Sequence, residues 1–233
     1  SHDEIIKILD TSITHNITEV HIVSAHNPDA GLEWYLGMFS KIRAKYPNLH
    51  IKALTAAEIN FLATKYNMSY EETVDKMLEA GVDSLPGGGA EIFDEKVREY
   101  ICKGKVSSKE WLEIHKIWHS RGKQSNATML FGHVEDRGHR IDHMLRLRNL
   151  QDESGGFNAF IPLVYQRDNN YLRVENFLSP IEILKTYAIS RLMLDNIPHI
   201  KAYWATSTIN LALIAQEFGA DDLDGTIEKE SIQ

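Results

Sequence analysis

The chain has 233 residues, 43% of them hydrophobic and 25% charged, with a formal net charge of −8 when histidine is neutral. That composition suits a globular domain with a substantial core; it shows no basic block for nucleic acid, no apolar run near the roughly 18 residues of a membrane span, and no signal peptide in the opening SHDEIIKILD. Cys102 is the single cysteine, so these residues alone supply neither an intrachain disulfide nor a three- or four-cysteine cluster, and a cytoplasmic location fits.

In chain order, apolar runs of strand type alternate with amphipathic helical segments. EIIKILDTSI places Ile5, Ile6, Leu9 and Ile13 on one helical face. TEVHIVSA reads as a buried strand, and the segment after it carries a helix stopped by Pro47. LHIKALTA is the next strand. Two helices follow, the second opened by Ser69 with Glu72 three residues on, a capping-box pattern. VDSLPGGG is a short strand running into three glycines. Helices in FDEKVREYIC and SSKEWLEIHKIWHSRG lead to the strand QSNATMLFG. A helix in EDRGHRIDHMLRLRNLQDES, the strand NAFIPLVYQ, a polar loop, and the helix PIEILKTYAISRLMLDN come next. HIKAYWA, STINLALIAQEFG and DDLDGTI close the chain as strand, helix and short strand. Strands are expected at 18–24, 49–55, 83–87, 124–131, 158–165, 199–204 and 221–226.

Apolar strands each followed by a helix imply a parallel sheet. Seven strands in this length favour an α/β fold of the (β/α) TIM-barrel type over a doubly wound sheet, with residues 1–233 as one domain. A barrel normally opens on a strand and closes with a helix. This chain opens on a helix and ends just past a strand, so both ends are expected to be cut.

In such a barrel the chemistry sits at the carboxyl ends of the strands. Polar residues there are Ser24 and His26, then Thr55 and Glu58, then Gly87, Gly88, Gly89 and Glu91. Further along come Gly132, His133 and Glu135, then Gln166 and Arg167, then Tyr203, Trp204 and Thr206, and last Asp224. Asn126 and Thr128 alternate along their strand toward the interior. Glycine allows close backbone approach, so the run at 87–89 is either a tight turn or a cradle whose N–H groups meet a ligand at a helix start. His26 and His133 are placed to move a proton, or are ordinary loop histidines. The pairs His115/His119 and His139/His143 have chelating spacing, but they lie in helices, which a barrel puts outside, and no HExxH accompanies them.

DSLPGGGAEIFDEKVR, SNATMLFGHVE, LRLRNLQDESGGFNAFIPL and LMLDNIPHIKAYW, in this order, resemble the aminofutalosine synthase family of radical S-adenosylmethionine (SAM) enzymes, which serves menaquinone biosynthesis by the futalosine pathway. The segments are also similar to dehypoxanthine futalosine cyclase and the FO synthases. The resemblance covers nearly the whole chain and implies a transferase with a radical SAM barrel and SAM across the strand ends. It assigns SAM to Gly87, Gly88, Gly89 and Glu91. It assigns the adenine to a G-x-I-x-G-x-x-E pattern matched by Leu130, Gly132 and Glu135, where Thr128 replaces the first glycine, with Asn126 beside it. It places the SAM amino group near Ser24 and Ala25, where glycines are usual in the family. It implies a [4Fe–4S] cluster on CxxxCxxC, which these residues lack. The missing first strand and the missing cysteines are therefore expected to lie in one absent segment, with this chain inactive alone.

The implied reaction adds the SAM-derived 5′-deoxyadenosyl radical to 3-[(1-carboxyvinyl)oxy]benzoate, with rearrangement and decarboxylation. Its electron donor is a flavodoxin or ferredoxin. Arg167 suits the substrate carboxylates, with Tyr203 and Thr206 alongside, and His26 and His133 as catalytic groups. Two other readings stay open. A metal-dependent hydrolase would use His26, His133 and Asp224, and a non-catalytic barrel would bind a nucleoside.

Overall fold

The computed structural model describes residues 1–13, 17–24, 30–167, 172, 174 and 177–225. A helix, α1 (His2–Ser12), precedes β1 (Glu19–Ile22), and α2 (Leu32–Lys45) leads to β2 (His50–Ala53). Two helices, α3 (Ala56–Tyr66) and α4 (Tyr70–Glu79), precede β3 (Ser84–Leu85), and two more, α5 (Glu95–Ile101) and α6 (Ser108–Ser120), precede β4 (Gln124–Phe131). Then come α7 (Arg137–Ser154), β5 (Phe157–Val164), α8 (Pro180–Met193), β6 (His199–Tyr203), α9 (Trp204–Ser207), α10 (Ile209–Ala215), and β7 (Asp222–Asp224) after a short 3₁₀ turn.

All seven strands are parallel, and their order in the sheet is their order in the chain. The result is an open half-barrel with helices on its outer face. The local chemistry explains the helix starts. Ser1 with Glu4, Thr55 with Glu58, Ser69 with Glu72, and Ser107 with Glu110 each close a reciprocal capping box, satisfying N–H groups that the helix itself leaves free.

Alternation along the strands sorts the two faces. Ile51, Ala53, Ala127, Met129, Phe131, Ile200 and Ala202 are fully buried under the helices. Paired positions in parallel strands share a face, which puts His21, Lys52, Thr128, Ile161, Lys201 and Asp222 toward the inside. The inner face carries charge near its amino end. Lys52 pairs with Glu19 at 2.7 Å, and Lys201 lies 3.1 Å from Asp222 and 3.7 Å from Asp224.

Three expectations need correction. The third strand spans two residues rather than five, because the chain leaves the ladder at Pro86, which has no N–H to donate. The sixth ends at Tyr203, and Trp204 opens a one-turn helix instead of extending it. Three of the four helical histidines are not on an outer surface, and only His139 is partly exposed. His115 and His143 are fully buried and His119 nearly so, packed between the helices and β4.

A candidate cofactor and substrate site at the strand ends

The carboxyl end of β1 is tied to that of β2 through one buried carboxylate. Ser24 donates both its N–H and its hydroxyl to Glu58 Oε1, each at 2.8 Å, and its Oγ lies 2.8 Å from the Tyr35 hydroxyl. Glu58 Oε2 accepts from the N–H and hydroxyl of Thr55, at 2.7 and 2.8 Å. Leu54, just before, is held at φ +57°, a backbone region that side chains rarely adopt. Ala25 and His26, assigned to SAM and to catalysis, lie outside the described residues.

The glycine run sits against this corner and against β4. A Cβ on Gly87 would stand 2.7 Å from the Ala127 and Thr128 backbone, and one on Gly88 would stand 2.7 Å from Thr55 Cγ2. Gly89 adopts φ +85°. All three carbonyls are used within the protein: the Thr128 hydroxyl donates to Gly87 at 2.6 Å, Trp111 Nε1 to Gly88 at 3.1 Å, and Arg98 Nη2 to Gly89 at 2.9 Å. Arg98 is 3% exposed and also donates to the carbonyls of Ala90, Ile92 and Val106. A guanidinium presents five donors in a fixed fork, and here it gathers four carbonyls to fix the loop. Sequence reasoning missed it, since Arg98 stands in a short helix rich in exposed charge. The run is also not a helix start. The first helix beyond it begins at Glu95, capped by Asp94, so ligand contact there would be made by loop N–H groups and not by a helix terminus.

Glu91 departs from the loop with φ +44°, and its carboxylate, still partly exposed, meets Lys105 at 2.9 Å. Its carbonyl accepts from Leu130 N at 2.9 Å, which joins the loop to the end of β4. The following turn is built around Glu135. That carboxylate accepts from Gly132 N at 2.6 Å, from His133 N at 2.8 Å and from Arg140 Nε at 2.7 Å. Gly132 is at φ +93°, and a Cβ there would stand 2.7 Å from Leu178 Cδ1.

His133 is misjudged as a proton-moving group. Its Nε2 faces the Leu130 carbonyl at 3.1 Å and must donate, while Nδ1 accepts from Val134 N at 2.8 Å. Its side chain has no solvent exposure. Burial pushes the imidazole below its usual range, outweighing the Glu135 carboxylate beside it. Both nitrogens hold the turn. Asn126 is misplaced as well. It lies two residues into β4 and lines a cavity of about 520 Å³ at the amino end, with Glu19, Lys52 and Ser84. A groove of about 800 Å³ lined by Glu71, Lys109 and Arg146 lies on the outer helices. Neither is at the mouth.

Thus Gly87–Gly89, Glu91, Thr128, Leu130, Gly132, His133 and Glu135 form one connected wall, with Ser24 bound to its neighbour. Arg167, Tyr203 and Thr206 are at the ends of β5 and β6. Gln166 Nε2 donates to the Thr206 carbonyl at 2.8 Å, which links the two strand ends, and the Ser207 hydroxyl donates to the Tyr203 carbonyl at 2.9 Å. Asp224 stands beside Lys201, and no cluster of three metal-ligating side chains occurs among the described residues; His26, which the hydrolase reading also names, lies outside them.

Residues 1–147, more than half of the chain, match the family described as the radical SAM superfamily. The chain belongs to the radical SAM superfamily. Residues 154–232 match the CofH/MqnC C-terminal region. The chain is 44% identical to an aminodeoxyfutalosine synthase of Thermus thermophilus, over 99% of its length and 63% of that protein. It is 40% identical to one from Streptomyces coelicolor, over 99% of its length and 62% of that protein. A cyclic dehypoxanthine futalosine synthase of the same Streptomyces is 36% identical, with 99% and 58% covered. The chain therefore spans less than two thirds of these relatives. Methylornithine synthase (PylB) shares the fold at TM-score 0.73 and 14% identity, covering all of this chain and 64% of that one. HydG, a hydrogenase maturase, does so at 0.73 and 12%, covering 96% and 49%.

Radical SAM enzymes use SAM and a [4Fe–4S] cluster. The two groups fare differently against these residues. The wall above, with its backbone brought close by glycine at the strand ends, fits an adenosyl ligand. The cluster does not fit: it takes several cysteinates, and Cys102 alone is present, half-buried, its thiol pushed up by burial.

Proposed function

We propose that this chain is the barrel of an aminodeoxyfutalosine synthase. The observation that carries the reading is 44% identity across 99% of the chain to such a synthase, against 36% to the cyclic dehypoxanthine futalosine synthase. In the complete protein, SAM and a [4Fe–4S] cluster would supply radical chemistry for converting 3-[(1-carboxyvinyl)oxy]benzoate to aminodeoxyfutalosine, and the residues of this chain would hold the SAM at the strand ends. A reducing partner of the flavodoxin or ferredoxin type and a cytoplasmic setting belong to the same reading. No described helix is long and apolar enough to cross a membrane.

The chain's own residues bind, orient and exclude water, since the cofactor carries the hard chemistry. Gly87–Gly89, Glu91, Leu130, Gly132 and the turn clasped by Glu135 form the SAM wall. Ser24 and Glu58 hold the adjoining corner. Thr128 acts through its hydrogen bond to the Gly87 carbonyl, setting the loop against β4. A wall whose polar groups are already bonded needs little reorganisation on binding, which lowers the ordering cost of association.

The deciding experiment uses the full-length gene product, reconstituted anaerobically with iron and sulfide. With SAM, reductant and 3-[(1-carboxyvinyl)oxy]benzoate, aminodeoxyfutalosine is expected by mass spectrometry. Turnover of dehypoxanthine futalosine with none of this product would assign the chain to the cyclase instead.

A further inference from the structure

The cavity of about 520 Å³ lies at the amino end of the sheet, away from the SAM wall at the carboxyl end. Barrel interiors are normally filled by branched apolar side chains, yet no residue lining this cavity carries one. Most of its polar groups are already paired. Glu19 holds Lys52 at 2.7 Å, His50 Nε2 lies 2.7 Å from Ser84 Oγ, and Asp83 pairs with Arg43 and accepts from Ile51 N at 2.8 Å. Four lining groups have no such partner among the described residues: the ammonium of Lys123 and the carboxamides of Gln124, Asn126 and Asn158. Asn126 is only 6% exposed. Buried polar groups are almost always paired, and this carboxamide instead stays open to the cavity. Asn158 reaches the same space through a break in register. Ser125 pairs with Phe157 but Asn126 pairs with Ala159, so Asn158 is an extra residue on β5. Such bulges are rare in parallel pairs, and they re-aim a side chain.

We propose that this amino-end cavity is a binding site for a tetrahedral oxyanion of the phosphate type, seated by Lys123, Asn126 and Asn158. Both carboxylates in the cavity, Glu19 and Asp83, already face cations, so the uncompensated charge is that of Lys123. An ammonium serves phosphate as a point charge, and each carboxamide adds two N–H donors. Donors on three separate stems suit a tetrahedral, acceptor-rich anion. The cavity is larger than phosphate itself and leaves room for a small organic group attached to it.

The test is calorimetric titration of the full-length protein with inorganic phosphate and with glycerol 3-phosphate, at ionic strength fixed with chloride. Saturable binding is expected, unchanged by saturating SAM. Lys123→Gln and Asn126→Leu should each weaken it about tenfold, and Asn158→Leu roughly 3- to 10-fold. Lys109→Gln, in the groove on the outer helices, should leave it unchanged. Without phosphate, Asn126→Leu should melt no lower than wild type, because its carboxamide has no partner to lose. Phosphate should raise the melting temperature of wild type and not of Asn126→Leu. Tighter binding of glycerol 3-phosphate supports the site with an organic phosphate as its occupant, and equal binding supports it with free phosphate. Binding of neither overturns the site, as does competition with SAM. Equal affinity in wild type and in both Lys123→Gln and Asn126→Leu also overturns it and means an adventitious ion only. None of these readouts uses turnover, so the result stands apart from the reaction proposed above.

Discussion

The two sides of the mouth are built on opposite terms. On the β3–β4 side the carbonyls of Gly87, Gly88 and Gly89, the Glu135 carboxylate and both nitrogens of His133 are already bonded within the protein. On the β5–β6 side a guanidinium nitrogen and a hydroxyl are buried with nothing to bond. A satisfied wall offers shape, and its ligand contributes little to its order. An unsatisfied one carries a standing cost to folding. The difference predicts that substitutions on the first side destabilise the fold, and that removing the unpaired groups of the second does not.

The largest effect is expected at Arg98. Arg98→Ala leaves four carbonyls without their donor, at about 1–3 kcal/mol for each that stays unpaired, read as a lower urea midpoint, with SAM affinity falling along with it. A stable Arg98→Ala protein that loses SAM alone would erase the contrast between the two sides.

Acid should act first on the histidines packed behind β4. Behind β4 the hydrogen bonds run in one direction. Ser154 donates to the Leu150 carbonyl, so His119 Nδ1 donates to Ser154, Ser125 donates to His119 Nε2, and His115 Nδ1 donates to Ser125. His115 Nε2 and His143 Nδ1 are buried without partners. Burial lowers His119 to about 4 and His143 to about 3, and drives His115 well below its usual value. These groups are neutral when folded and bind protons on unfolding below about pH 6.5. Stability is therefore full above that value and falls as pH drops from about 6.5 toward 4 and then 3. At about 1.4 kcal/mol per unit the loss reaches several kcal/mol. Urea melts between pH 7 and 4 should show it, and a flat profile over that range would mean the histidines are not buried as described.

A smaller effect separates two neighbouring glycines. Gly87→Ala drives a methyl into the β4 backbone and should cost about 1–3 kcal/mol. Gly88→Ala meets only the Thr55 side chain and should cost less, so the order of the two melting temperatures is the readout. Gly88→Val then asks whether the loop touches SAM. An affinity loss well beyond the stability loss supports contact, and a matched loss makes the glycines a turn alone. The smallest effect belongs to Phe177→Ala, whose ring is 81% exposed and whose loss should leave stability within about 0.5 kcal/mol, read as an unchanged urea midpoint.

Much of this was legible in the sequence. The seven strands stand where their apolar runs placed them, and the Ser69–Glu72 capping box is present, because both signals are local. What escaped depends on contacts distant in sequence. Nothing near Arg98 announces four carbonyls, and His133 reads as a free imidazole until the turn folds around it. The buried histidines were legible but overlooked: Trp111, Ile114, His115, Trp118 and His119 share one face of α6 at helical spacing. Trp204 continued an apolar run, so its turn into α9 had no local sign.

The agreement between strand order and chain order also bears on synthesis. Each strand pairs with its predecessor in the chain, and none must be inserted between two already in place. During synthesis a new βα unit meets an edge that is complete, so the sheet can grow by accretion from β1 toward β7. Domains generally fold as units, earliest residues first, as they emerge, and pairings between chain neighbours keep loop-closure entropy low for a parallel sheet. On the ribosome, the wall formed by β3 and β4 would thus be in place before Arg167 and Thr206 have been made.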